Sequence, residues 1–380
     1  MLKQALVLAA VLLSVCGDQQ QYIERYFNDE EFRSQVDQHF AQFPAPPPLV
    51  NGEPNFQCPN MVSQTTPTTV HSLRPGDIKL IASLGESLTS GNGAEATNIL
   101  EILLQWRGES FSMGGDDNLD TRVTLPNIIK KFNPQLFGQS YNIGPTNVWD
   151  VAYLNAGIPG DVAGDLPGQA QDLVTRLQSH PDKIDMENDW KLVSLFIGSN
   201  DACHYCQDNV TYSAANFSSN VRQAIQILYD NVPRVLVNII GSLHVEIARQ
   251  VDATDALCKT AHTLVECQCE YDHNVSDADF ASIVYQYQQA AYDIMMSGDF
   301  DRPDFSVVVQ PFYNNTVQPP LNPDGTPNLS LFAPDCFHFR GLLHSAVARI
   351  LWNSMLVPVG QKPQQFNFTN LMLPLNCPDT

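Results

Sequence analysis

The sequence predicts an α/β fold, a three-layer α/β/α sandwich built on a mostly parallel sheet. Short runs rich in β-branched and apolar residues recur along the chain, and segments with helical apolar spacing separate them. The strand-like runs are continuously apolar rather than alternating, as suits parallel strands covered on both faces. Strand and helix alternating in this way is the pattern of a layered α/β domain.

In chain order, the elements begin with a strand, IKLIASL (78–84), and a helix-like segment, ATNILEILLQW (96–106). A helix over AQDLVTRLQSH (170–180) leads to the strand KLVSLFIG (191–198). The helix SSNVRQAIQILYDNV (218–232) precedes the strand RVLVNIIGSL (234–243). The helix FASIVYQYQQAAYDIMMSG (280–298) then leads to the strand FSVVVQPF (305–312), and HSAVARILWNSML (344–356) closes the domain as a helix. No internal repeat is visible.

Ahead of this domain, residues 1–17 combine a Lys3-bearing start, an apolar run and small residues before Asp18, the pattern of a secretory signal peptide cut near Gly17. Residues 18–57 read as a polar helical arm, about Gln20 to Phe43, followed by the Pro-rich linker FPAPPPLVNGEP. The main domain is expected over 58–380. No later stretch approaches the roughly 18 unbroken apolar residues of a spanning helix, so a chain that is exported, extracellular and without a transmembrane anchor is expected.

The chain has 380 residues, 43% hydrophobic and 16% charged, a globular composition able to bury a large core. Its formal net charge of −21 argues against nucleic acid and against electrostatic docking on anionic membranes.

Of nine cysteines, Cys16 leaves with the signal. The remaining eight, Cys58, Cys203, Cys206, Cys258, Cys267, Cys269, Cys336 and Cys377, favour disulfides in an exported chain, with the pairing left open. A redox or zinc role for CHYC (203–206) and CQC (267–269) is the weaker reading. Six sequons, at Asn209, Asn216, Asn274, Asn314, Asn328 and Asn367, fit a secreted glycoprotein.

Ser87 and GSND (198–201) each follow directly on a strand, at the sheet edge where ligands bind in such folds. A serine becomes a nucleophile when a base is in reach and an acid orients that base. DCFHF supplies Asp335 and His338, whose spacing of three would put both on one side of a helical turn. An oxyanion hole requires fixed donors; the Ser87 N–H, the Gly160 N–H in NAGIPGD and the Asn200 amide are candidates. Singly, Ser87 reads more readily as a helix cap, His338 as a packed histidine and Asn200–Asp201 as a turn. GESLT is not a G-x-S-x-G elbow, since Thr89 stands where the last glycine would be. Four blocks in this order, two of them at strand ends, make chance a poor account of all of them.

GESL with Ser87, NAGIPGD with Gly160, GSND with Asn200 and DCFH with Asp335 and His338 resemble the four blocks of the SGNH (GDSL-type) hydrolases. GGDDNLDTRVTLPNIIKKFNP (114–134), DWKLVSLFIGSNDACHYC (189–206) and PDCFHF (334–339) are further similar to the repeat unit of animal membrane-associated phospholipase B. The similarity covers about Asn55 to Cys377. It implies an esterase with phospholipase A and lysophospholipase activity, acting on phospholipid or lysophospholipid at a lipid interface, with neither metal nor cofactor. It also implies Ser87 as nucleophile, His338 as base, Asp335 as its orienter, and Ser87, Gly160 and Asn200 as oxyanion donors. A carboxylesterase on other acyl esters, or a non-catalytic secreted protein retaining the fold, are the alternatives.

Three departures stand out. Glu86 replaces the family aspartate, outside the triad, and is expected to adjust rate rather than abolish activity. Leu343–His344 stands where a Gly-His pair is frequent, which would alter helix packing. The membrane-associated relatives carry tandem units and a carboxyl-terminal anchor, whereas this chain has one unit and ends at NCPDT, so a free secreted form is expected.

Overall fold

The computed structural model describes residues 28–31, 34, 51–59, 61–98, 101–253, 258, 259, 262, 267–272 and 274–379. The signal peptide, Cys16 and most of the helical arm and linker lie outside the described residues. Asn28, Glu30, Glu31 and Ser34 of the arm are helical.

Four parallel strands form the sheet in the order β1 to β4: Ile78–Gly85, Trp190–Phe196, Val235–Ile240 and Phe305–Gln310. All four coincide with the predicted runs. The helices are α1 (Ser87–Ser90), α2 (Leu125–Ile129), α3 (Trp149–Ala152), α4 (Leu166–Ser179), α5 (Ser199–His204), α6 (Ala214–Asn231), α7 (Ile247–Asp252), α8 (Asp277–Met296) and α9 (Gly341–Met355). Phe137 and Asn155 add single parallel bridges to the outer edge of β1.

Both faces of the sheet are covered, which is why the strands read as unbroken apolar runs. On one face Leu80, Leu84, Val193, Val237 and Val307 meet the buried stripes of α4, α6 and α8. On the other, Ile81, Leu192, Phe196 and Ile240 meet α2 and α9. The stripe of α4 (Leu166, Ala170, Leu173, Val174, Leu177) has helical periodicity. Ser276 and Asp279 form a capping box at the start of α8, worth about 1 kcal/mol.

Two local expectations are corrected. Among the described residues of 96–106 there is no α-helix, and Glu101–Leu103 makes a 3-10 turn. Thr97 donates from its backbone and its hydroxyl to the Glu101 carboxylate at 2.6 and 2.8 Å, and Asn98 Oδ1 accepts the Glu101 N–H. Such side-chain bonds compete with a helical ladder. The apolar residues Ile102, Leu104 and Trp106 pack instead with Ala94, Ala96 and Ala333 in a small separate cluster. The second correction concerns Asp335–His338, which lies in a non-helical loop.

Residues 51–57, given by composition to the linker, lie against the domain. Asn51 Nδ2 donates to Gly341 O, Phe56 is buried, and Arg349 of α9 holds the Asn51 and Gly52 carbonyls and the Glu53 carboxylate.

The eight described cysteines form four disulfides, Cys58–Cys377, Cys203–Cys267, Cys206–Cys269 and Cys258–Cys336. CHYC and CQC therefore pair with each other, which sets aside their redox and zinc readings. No helix among the described residues is long and apolar enough to cross a membrane.

Candidate active site

Parallel pairing sets the site. Gly85 is in register with Phe196, so the residues just beyond β1 and β2 emerge side by side at one sheet edge. Gly85 is required by close approach: a Cβ there would lie 2.3 Å from Thr89 Oγ1 and 2.5 Å from Phe196 O. The chain then turns into α1, and Ser87 is its first residue.

The Ser87 hydroxyl donates to His338 Nε2 at 2.8 Å, and His338 Nδ1–H donates to Asp335 Oδ2 at 2.5 Å. All three side chains are buried. Asp335 Oδ1 also accepts the Phe337 and His338 backbone N–H groups, both at 3.1 Å. That turn, with Cys336 at φ 61°, brings Asp335 and His338 together without a helix. Burial alone would raise the Asp335 carboxyl, but the His338 imidazole and the two amides outweigh it and hold it below the ordinary carboxylate value. Ala333 N–H donates to His338 O, and the Cys258–Cys336 disulfide fixes the turn from outside.

The candidate oxyanion donors are tethered to one another. Asn200, in the first turn of α5, donates from Nδ2 to Asp161 O at 2.9 Å, next to Gly160. Gly160 has φ 82° and open space where a Cβ would be, so its glycine is demanded by backbone conformation rather than by crowding. Among the described residues, neither the Ser87 nor the Gly160 N–H has a backbone acceptor.

Three supporting residues were missed by the sequence reading. Gln169 of α4 accepts the Gly85 N–H and donates to Gly85 O and Asp161 Oδ2, all within 2.7–2.8 Å. Asp201 accepts the Ala163 N–H with both oxygens. Arg107, fully buried, donates to the carbonyls of Gly144, Asn155 and Gly157, bracing the loop that leads to Gly160. Asp201 sat inside a recognised block; no motif points to Gln169 or Arg107.

Glu86 is 2% exposed, with Oε2 lacking a hydrogen-bond partner. Burial pushes its carboxyl up to about 8, opposed by the polar groups of Ser199 and Asn200 and reinforced by Asp201. Burial likewise pushes Asp161 and Asp201 up to about 7. A neutral Glu86 suits its surroundings, where among the described residues no Lys or Arg acts on its carboxyl. Between its ordinary value of 4.5 and about 8 the folded chain holds a proton that the unfolded chain releases. Stability is therefore full below that window and falls as pH rises through it. We expect Glu86→Gln to flatten the fall by up to about 1.4 kcal/mol per pH unit, measured by urea unfolding from pH 5 to 8. An unchanged slope would contradict a buried neutral carboxyl.

Beside the site lies a narrow pocket of about 40 Å³, lined mainly by apolar side chains, among them Leu88, Val245, Ala248, Val251, Phe337 and Phe339. Its walls include the chain neighbours of both Ser87 and His338. His344 is buried in α9, where its Nδ1 accepts the Phe111 N–H at 3.3 Å and its ring stacks on Phe111. Burial drives this imidazole down to about 3, so it is neutral. Of the sequon asparagines, Asn209, Asn216, Asn274 and Asn367 are exposed, while Asn314 and Asn328 are half-buried.

Comparison with known proteins adds three relatives and a family. The GDSL-like lipase/acylhydrolase family matches residues 81–351. Phospholipase B1, membrane-associated, from Homo sapiens is 42% identical over 332 residues, 85% of this chain and 22% of that protein. The Rattus norvegicus protein of that name is 38% identical over 339 residues, 88% and 23% respectively. The Mus musculus protein is 39% identical over 307 residues, 79% and 21%. The chain thus spans under a quarter of the length of these relatives.

Proposed function

Because the chain belongs to the GDSL-like lipase/acylhydrolase family, we propose that it is a phospholipase B-type lipid ester hydrolase, with phospholipase A and lysophospholipase activity. The observation that carries this reading is the unbroken hydrogen-bond chain Ser87–His338–Asp335 at the end of β1.

In the proposed mechanism, Ser87 Oγ attacks the acyl carbonyl as His338 Nε2 takes its proton. Asp335 keeps the other imidazole proton on Nδ1 and stabilises the imidazolium that forms. The tetrahedral oxyanion rests on the Ser87 and Gly160 amides and the Asn200 side chain. His338 then protonates the departing lysolipid or glycerol oxygen, and water, activated by the same histidine, releases the fatty acid. The apolar pocket beside Ser87 supplies a dry wall for the acyl chain. Four disulfides support an extracellular setting, and the four exposed sequons are the sites proposed for glycosylation.

Fluorophosphonate labelling together with fatty-acid release from lysophosphatidylcholine tests the proposal. A chain that does neither is not this hydrolase. The narrowness of the pocket favours a second reading, a carboxylesterase on shorter acyl esters. Turnover of a short p-nitrophenyl ester far above that of phosphatidylcholine would select it.

Asn200→Ala is expected to lower kcat by about 10²–10³-fold with a smaller change in KM. An unaltered kcat would remove Asn200 from the oxyanion hole.

A further inference from the structure

Apart from the site above, Asp252, His262 and Glu270 bring three potential ligand atoms within 4.8 Å of one another. Asp252 closes α7, and Glu270 lies in the 3-10 turn Gln268–Tyr271. His262 Nδ1 is 3.3 Å from Glu270 Oε2 and 4.0 Å from Asp252 Oδ2. The His262 and Glu270 side chains are 0% exposed and that of Asp252 7%.

Two carboxylates thus share a buried space with one imidazole. Even a protonated His262 leaves negative charge in excess, and buried charge in folded proteins is paired or bound to metal. Among the described residues, Asp252 Oδ2 and Glu270 Oε2 accept no hydrogen bond from an N–H or hydroxyl, and the two carboxyls are close enough to interact with each other. The adjacent Arg249 is directed elsewhere: it donates to the Glu270, Cys269 and Val275 carbonyls and to Asp277. Lys259, exposed, places a solvent-screened positive charge near Asp252.

We propose that Asp252, His262 and Glu270 bind one zinc ion, which pins the end of α7 to the disulfide-linked segment that follows it. One imidazole with two carboxylates is a zinc donor set, and tetrahedral ligands at about 2.0–2.2 Å from the metal lie roughly 3.3–3.6 Å apart. The His262–Glu270 separation already has that value, the 4.0 Å from His262 to Asp252 is within 1 Å of it, and all three ligand atoms lie within 4.8 Å of one another. Calcium, with about six to eight oxygen ligands, and magnesium, with octahedral oxygens, fit an imidazole-bearing cluster of three poorly. Water or the second Glu270 oxygen completes the tetrahedron. The cysteines of this segment are held in disulfides, so they do not compete for the ion. Because Ile247, Ala248 and Val251 of α7 line the apolar pocket, the ion would also steady that wall.

The test is metal content and thermal stability of the purified chain, neither of which depends on the catalytic reading. After zinc loading and desalting, elemental analysis should find about one zinc per chain. Chelation should lower Tm by several degrees, and zinc alone should restore it. Asp252→Asn and Glu270→Gln, which keep shape and relieve the excess charge, should each weaken zinc binding by about 100-fold or more. Absence of zinc with no response of Tm to zinc would overturn the proposal. So would zinc that persists in the Asp252→Asn/Glu270→Gln double variant. A wild-type chain free of zinc whose Tm rises on Asp252→Asn alone would show that the carboxylates share a proton instead, and this too overturns it.

Discussion

Ser87→Ala is expected to lower kcat for fatty-acid release from lysophosphatidylcholine by about 10⁴–10⁶-fold and to abolish fluorophosphonate labelling. In the proposed mechanism the substitution removes the one atom that attacks the acyl carbon, and neither His338 nor Asp335 can replace it. The fold should barely notice. The hydroxyl's hydrogen bond is to His338, alanine is a good helix former at the start of α1, and the change in stability should stay near about 1 kcal/mol. An alanine variant that keeps full turnover would refute the mechanism outright. Retained near-ultraviolet circular dichroism would separate loss of chemistry from loss of fold.

The second large effect is expected of Asp335→Asn, a fall in kcat of about 10⁴-fold. Asparagine can still accept the Phe337 and His338 backbone N–H groups through Oδ1, so the turn should survive. Its amide, however, presents a donor where His338 Nδ1–H needs an acceptor. The imidazole then carries its proton on Nε2, the nitrogen that faces Ser87, and can no longer accept the hydroxyl proton. A fall of less than tenfold with Tm unchanged would reduce Asp335 to a structural role. Imidazole proton NMR gives an independent reading, since the Nδ1–H resonance shared with Asp335 should vanish in the variant.

All four strands were legible because a parallel sheet buried on both faces leaves unbroken apolar runs in the sequence. Their register was not written there, yet register brings Ser87 and Asn200 to one edge. Residues 96–106 misled because apolar residues buried in an irregular cluster have the same composition as a helix stripe. The side-chain bonds from Thr97 and Asn98 that favour the irregular form are visible only once Glu101 is placed. The residues proposed to carry the chemistry lie in short blocks, each of which can be picked out in the sequence by itself. Their meeting across 251 residues of chain, from Ser87 to His338, is a property of the fold. Gln169 and Arg107 escaped notice because each acts largely through backbone carbonyls and amides, which are common to every residue and leave no pattern in the sequence.

The Cys58–Cys377 disulfide joins residues 319 apart in sequence and brings their Cα atoms within 5.4 Å. Mechanically, the domain hangs from a single point. Tension applied to the chain before Cys58 and after Cys377 would run through the sulfur bridge and bypass the sheet, so that stretching could neither lengthen the domain nor draw Ser87 away from His338. With the bridge reduced, the same pull would act first on α9 and on the residues 51–57 that it holds. Single-molecule extension should accordingly show no unfolding step from this unit under oxidising conditions, and one of full domain length after reduction.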